Sequence, residues 1–142
     1  MNFMNQVMTA FTCMLFAAAG PSDPGGALRV TVSAPWAPVA RGAPVELTLE
    51  VTNTSDRPVT LHFNTSQRYD FLIHDAAGKE MWTWAQERMF LQVLGQEDLQ
   101  PGATKTYKER FLGTLSPGTY RVTGRLAARE TTPPATATFV IE

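Results

Sequence analysis

The sequence predicts an all-β fold, an immunoglobulin-like antiparallel β-sandwich of eight or nine strands, on three observations. Apolar and polar residues alternate with a period of two in segment after segment. Val45, Leu47, Leu49 and Val51 against Glu46, Thr48, Glu50 and Thr52 are the clearest case, and this is how a strand with one buried face reads. The ten prolines all fall between apolar runs, and a residue without an N–H is excluded from the middle of a hydrogen-bonded ladder. No segment carries a convincing amphipathic-helix period, and the strands recur at near-regular spacing, as in a two-sheet sandwich. A single cysteine, Cys13, removes the Cys…Trp…Cys signature of antibody-type domains.

The elements follow in order. Leu28, Val30 and Val32 alternate with Arg29, Thr31 and Ser33, and Pro35 and Pro38 end that run. The Val45–Val51 strand comes next and closes on the turn cluster Asn53-Thr54-Ser55-Asp56. Val59, Leu61 and Phe63 form a third strand, and Tyr69, Phe71 and Ile73 a fourth. Asp75-Ala76-Ala77-Gly78 reads as a type I turn, with Gly78 supplying the positive φ of a bulged hairpin. The return strand is expected over 79–84. The run Met89-Phe90-Leu91-Gln92-Val93-Leu94 has no period that separates strand from helix; its strand neighbours and the lack of an N-cap favour a strand. Pro101-Gly102 turns the chain, strands follow over 104–112 and 119–128 across Ser116-Pro117-Gly118, and 135–141 closes the domain.

Residues 1–26 are of another kind. The first twenty carry no charged side chain. The apolar stretch over 7–19 is shorter than the roughly 20 residues that span a bilayer, so no stable membrane span is expected. Its Ala17-Ala18-Ala19 end resembles an export-signal cleavage site, although no basic residue precedes it. Export and an untidy N-terminal extension both remain open, and localisation with them. Pro21, Pro24, Gly25 and Gly26 read as a linker to a domain over 27–142.

Composition narrows the function. In 142 residues, 12 Lys+Arg against 13 Asp+Glu leave a net charge of −1, which lacks the basic field a nucleic-acid partner requires. No Cys/His cluster is spaced to hold a metal, and no glycine loop is placed to cradle a phosphate or dinucleotide, so neither metal nor cofactor is expected. His74, Asp70 and Ser66 lie close in sequence, but no glycine elbow presents Ser66 as a nucleophile. Both His62 and His74 read as structural, and no enzyme is expected. Asn53-Thr54-Ser55 and Asn64-Thr65-Ser66 fit the glycosylation pattern, which Asn/Thr-rich turns produce by chance.

The unusual feature is aromatic. Trp82 and Trp84, two apart on the expected return strand, point to one face, with Tyr69 and Phe71 on the strand before and Phe90 just after. Most of these rings read as core filling. One or two left exposed would serve as binding anchors, because Trp and Tyr dominate interface hot spots.

This stretch also carries a family likeness. Ser66-Gln67-Arg68-Tyr69-Asp70-Phe71, Asp75-Ala76-Ala77-Gly78-Lys79-Glu80, Trp82-Thr83-Trp84 and Phe90-Leu91-Gln92, with Leu99-Gln100-Pro101-Gly102 and Gly118-Thr119-Tyr120 later, resemble the bacterial intracellular proteinase inhibitor family (BsuPI type). Ala85 departs from the serine common there after the second Trp. The resemblance implies an immunoglobulin-like sandwich that inhibits a subtilisin-like serine protease by protein–protein binding, and a cytoplasmic setting. A protease cleft holds its substrate as an extended strand, so an inhibitor offers a rigid loop or a strand edge. The loop over 85–88, extended through Met89 and Phe90, is the candidate, with Trp82, Trp84, Arg88, Met89 and Phe90 as partner contacts. Large apolar side chains suited to a subtilisin-like cleft come from Met89, Phe90 or Leu91. The rival reading is a non-inhibitory immunoglobulin-like module that binds some other protein outside the cytoplasm.

Overall fold

The computed structural model describes residues 26–130 and 132–142. The apolar segment read as an export signal, with Cys13, lies outside the described residues. Nine strands follow one another: β1 Leu28–Ser33, β2 Val45–Asn53, β3 Val59–Phe63, β4 Tyr69–Asp75, β5 Glu80–Thr83, β6 Gly95–Leu99, β7 Thr104–Phe111, β8 Gly118–Leu126 and β9 Ala135–Ile141, with a 3₁₀ turn at Trp84–Glu87. One sheet has the order β9-β8-β4-β5, a second β1-β2-β7, and β3 pairs with β6. Every strand pair is antiparallel. After β1 the chain crosses to the other sheet, where Val39 bridges β9 through Val39 N–H to Val140 C=O at 2.8 Å.

The alternation read in the sequence is what closes the sandwich. Val45, Leu47 and Leu49 of β2 and Phe111 of β7 face Phe71 and Ile73 of β4, Tyr120 and Val122 of β8, and Phe139 and Ile141 of β9. The intervening residues point to solvent. Each such aliphatic or aromatic side chain removed from water contributes about 1.5–3 kcal/mol. A second cluster, Val51, Leu61, Phe63, Leu99 and Leu126, lies beneath the β3–β6 pair.

Asn53 pins the end of β2 to β6. It is fully buried at the end of β2. Its Nδ2 donates to the carbonyls of Arg57 at 2.7 Å and Leu99 at 2.9 Å, and its Oδ1 accepts from the Ser55 N–H and hydroxyl. Both amide protons and the carbonyl are thereby satisfied without water. A side chain so placed carries no glycan.

The Asp75–Gly78 turn forms as the sequence predicts. Gly78 takes φ +89, and Asp75 Oδ1 accepts from the N–H groups of Ala77 and Lys79 at 2.9 and 2.8 Å. Two expectations are corrected nearby. The return strand ends at Thr83, so Trp84 lies in the 3₁₀ turn and the two-apart rule does not reach it. The apolar run 89–94 is not a strand; the strand begins beyond it, at Gly95. β6 itself lacks an alternating apolar pattern, Leu99 being its one buried apolar side chain. Its half-buried Glu97 is matched by Arg68 Nε at 2.6 Å and Lys105 Nζ at 3.0 Å, so an ion-pair network takes the place that apolar residues fill elsewhere.

Candidate functional site

The run that failed to become a strand forms an exposed segment, residues 88–94, between the 3₁₀ turn and β6. Met89 is 98% exposed, Leu94 75%, Leu91 69% and Val93 53%. Four apolar side chains in water within six residues is an arrangement that packing alone does not favour.

The segment is held from beneath at several points. On β4 the Asp70 carboxylate is nearly fully buried. Its Oδ1 accepts the N–H of Phe71 at 2.9 Å and that of Ala85 at 3.0 Å, while Arg125 Nη2 lies 3.6 Å from Oδ2. An amide of the first 3₁₀ turn, which has no partner within the turn, is thus satisfied by a carboxylate. Trp82 Nε1 donates to Glu87 Oε1 at 3.1 Å across the same turn. The turn closes with Arg88 N–H on the Ala85 carbonyl at 3.1 Å, and Arg88 itself is extended, at φ −129 and ψ 156.

Trp84 is the floor of the site. Only 7% of it is exposed. Tyr69 stacks on it with ring centroids 4.6 Å apart, Phe90 sits at 5.8 Å, and the Arg88 guanidinium lies 4.8 Å above the ring. Offset aromatic contacts and a cation over an indole are each favourable beyond area burial. Tyr69 in turn meets Tyr107 at 4.6 Å and donates its hydroxyl to Glu109. Burial, and then that carboxylate, push the Tyr69 phenol well above its ordinary value. Trp82 packs edge-on against Phe111 at 5.0 Å.

Beyond Phe90 a second anchor begins. Ser66 N–H donates to the Leu91 carbonyl at 2.9 Å and Ser66 Oγ accepts the Leu91 N–H at 2.8 Å. The segment then enters β6 at Gly95, where a Cβ would stand 2.8 Å from Arg68 Nη2. Arg68 occupies that space because it also donates from Nη1 to the Thr65 carbonyl at 3.0 Å and lies 4.2 Å over the Phe63 ring. Burial alone would raise the Glu97 carboxyl, but the hydrogen bonds from Arg68 and Lys105 outweigh it and hold it below the ordinary value.

Of the five residues nominated from sequence, Arg88 and Met89 face solvent, Trp82 and Phe90 are half-buried, and Trp84 is buried. Trp84 gathers Arg88 and Phe90 around itself, and Trp82 reaches the same turn through Glu87. Sequence reading missed the supports. Ser66 bonds the Leu91 amide of the segment and Asp70 the Ala85 amide of the 3₁₀ turn before it, and His74 Nδ1 is buried without a partner among the described residues. His62 pairs with Glu130 at 2.7 Å. Val93 and Leu94 were hidden in an apolar run taken for a strand. Trp36, between Pro35 and Pro38, is 96% exposed and is not among the residues the sequence singles out. Among the described residues no group of three or more His, Cys, Asp or Glu is placed to hold a metal ion, and no helix is long and apolar enough to cross a membrane.

Comparison with solved structures shows the fold. The C-terminal domain of Wzt is similar at 11% identity and a TM-score of 0.53, over 82% of this chain and 74% of that one. A CARDB domain from Pyrococcus furiosus, solved in complex with di-metal ions, aligns at 16% identity and TM-score 0.48, over 81% and 87%. An alkylpurine DNA glycosylase, AlkC, from Pseudomonas fluorescens aligns at 13% identity and TM-score 0.48, over 82% of this chain; the chain spans only 31% of the glycosylase. No curated protein matches the chain in sequence. Residues 32–131, well over half of the chain and including the whole segment with its anchors on β4, match the family described as intracellular proteinase inhibitor, and the chain therefore belongs to the BsuPI family of proteinase inhibitors.

Proposed function

We propose that the protein inhibits a subtilisin-like serine protease by non-catalytic protein–protein binding, with residues 88–94 lying in the enzyme's cleft. The observation that carries this reading is the combination of exposure and anchoring in that segment. Met89, Leu91, Val93 and Leu94 stand in water while Asp70, Trp84 and Ser66 hold the chain beneath them. A segment already held in one conformation loses little entropy on binding. Apolar side chains standing in water suit a cleft that takes large apolar groups.

In this arrangement Arg88 and Met89 touch the enzyme, and Trp82, Trp84 and Phe90 act from behind by fixing the segment. A standard-sized complex buries roughly 800 Å² on each partner, about a tenth of the 8050 Å² accessible surface of the described chain.

The test is a titration of the purified protein against a subtilisin-type protease, followed by cleavage of a small chromogenic peptide. Stoichiometric loss of activity with the protein left intact is the expected result. Full protease activity beside a folded, intact protein would defeat the proposal and favour a binding module for some other protein.

A further inference from the structure

We infer that Met89 is the side chain that enters the primary specificity pocket of the inhibited protease, and so decides which proteases the protein blocks. This rests on the reading of residues 88–94 as the inhibitory segment and narrows it to one residue.

Exposure is the first ground. At 98%, Met89 projects clear of its own domain, whereas Leu91, Val93 and Leu94 keep between a quarter and a half of their surface against it. A pocket that engulfs a side chain needs that side chain free on every side.

Anchoring on both flanks is the second. Arg88 lies over the Trp84 ring at 4.8 Å and Phe90 contacts the same ring at 5.8 Å. One buried indole thus holds the residue before Met89 and the residue after it, and leaves only the methionine side chain to adjust. Methionine is unbranched and conformationally adaptable, which suits a deep apolar pocket of imperfect fit.

The main chain supplies the third. A protease cleft pairs with a bound segment as with an added strand, through main-chain N–H and C=O groups. Leu91 has both groups already bonded to Ser66, and the Arg88 N–H is bonded to the Ala85 carbonyl. Among the described residues no main-chain hydrogen bond of this kind involves Met89. Its peptide groups are available to the enzyme where those of Leu91 are not.

The experiment compares the full chain with Met89→Gly, Met89→Arg and Leu91→Gly against a subtilisin-type protease and against trypsin, whose pocket has an aspartate at its base. Thermal melting close to wild type confirms that each variant folds, as substitution at so exposed a position predicts. The expected result is that Met89→Gly weakens subtilisin inhibition by about 10- to 200-fold, the range one apolar pocket group commands. Met89→Arg should gain inhibition of trypsin, and Leu91→Gly should change inhibition by less than about threefold, a small part of what a hot-spot residue carries. If the wild type inhibits but Met89→Gly does so equally well, the assignment of Met89 is overturned while the inhibitory segment stands. If the wild type leaves the subtilisin-type enzyme untouched, that target is wrong, and Met89→Arg still decides. Trypsin inhibition by that variant then upholds Met89, and its absence overturns it.

Discussion

The buried carboxylate of Asp70 accepts the N–H of Ala85 at 3.0 Å, and this one hydrogen bond ties a core strand to the 3₁₀ turn that leads into the exposed segment. Asp70 shares the same oxygen with its neighbour Phe71, so strand and turn are set by a single group. Asp70→Ala leaves two amides without an acceptor, at a cost of about 1–3 kcal/mol for each one that water does not reach. Melting temperature should fall, and inhibition measured well below the melting point should weaken as well. Asp70→Asn, which keeps an acceptor oxygen, should lie between the two. Unchanged inhibition in Asp70→Ala would show that the turn keeps its shape without the carboxylate.

Trp84 behaves as a core residue. The sequence offers it, with Phe90, as a partner contact. Its burial against Tyr69 and Phe90 instead predicts that Trp84→Ala costs about 3–5 kcal/mol. Thermal or urea unfolding reads this directly, and a melting temperature within a degree of wild type would contradict it.

Arg68 holds the β3–β6 pair to the rest of the sandwich. It bonds Glu97 and the Thr65 carbonyl and covers Phe63. Arg68→Ala leaves half-buried Glu97 with Lys105 as its remaining cation, and the pair has no third strand to steady it. Hydrogen exchange should quicken first in the amides of 59–63 and 95–99, by about tenfold for each 1.4 kcal/mol lost. Uniform change across all nine strands would argue against a local role.

Stability should fall at both ends of the pH range. The Glu97 and Glu130 carboxyls lie below their ordinary value in the fold, burial being outweighed by Arg68 and Lys105 for the first and by the His62 amide and ring for the second. The unfolded chain therefore takes up protons first, and their contribution is present above the ordinary value of 4.5 and lost as pH drops through the folded one. Tyr107 acts in the opposite direction. Burial, then the charge of Glu97, push it up to about 12. Its contribution is complete below the unfolded value of 10.0 and is lost as pH rises towards 12. Urea unfolding from pH 3 to 12 tests both limbs; Glu97→Gln should flatten the acid limb and Tyr107→Phe the alkaline one.

What the sequence by itself determined is whatever depends on neighbours a few residues away. The alternation from Val45 to Val51 names the face that enters the core, and Asp75 with Gly78 names a turn whose donors and acceptors lie within four residues. The family motif is likewise written along one stretch of chain. The site depended on partners farther off. Residues 89–94 are apolar enough for a strand, but Ser66, 25 residues earlier, takes both main-chain groups of Leu91. Trp84 is two residues from Trp82, yet Asp70, 15 residues before Ala85, ends the strand between them. Strand β6 went unread because, between Gly95 and Leu99, its inward residue is Glu97, matched by Arg68 and Lys105 from elsewhere in the fold. Periodicity records which side chains want to leave water; tertiary structure decides which of them find room, and Met89 is among those that do not.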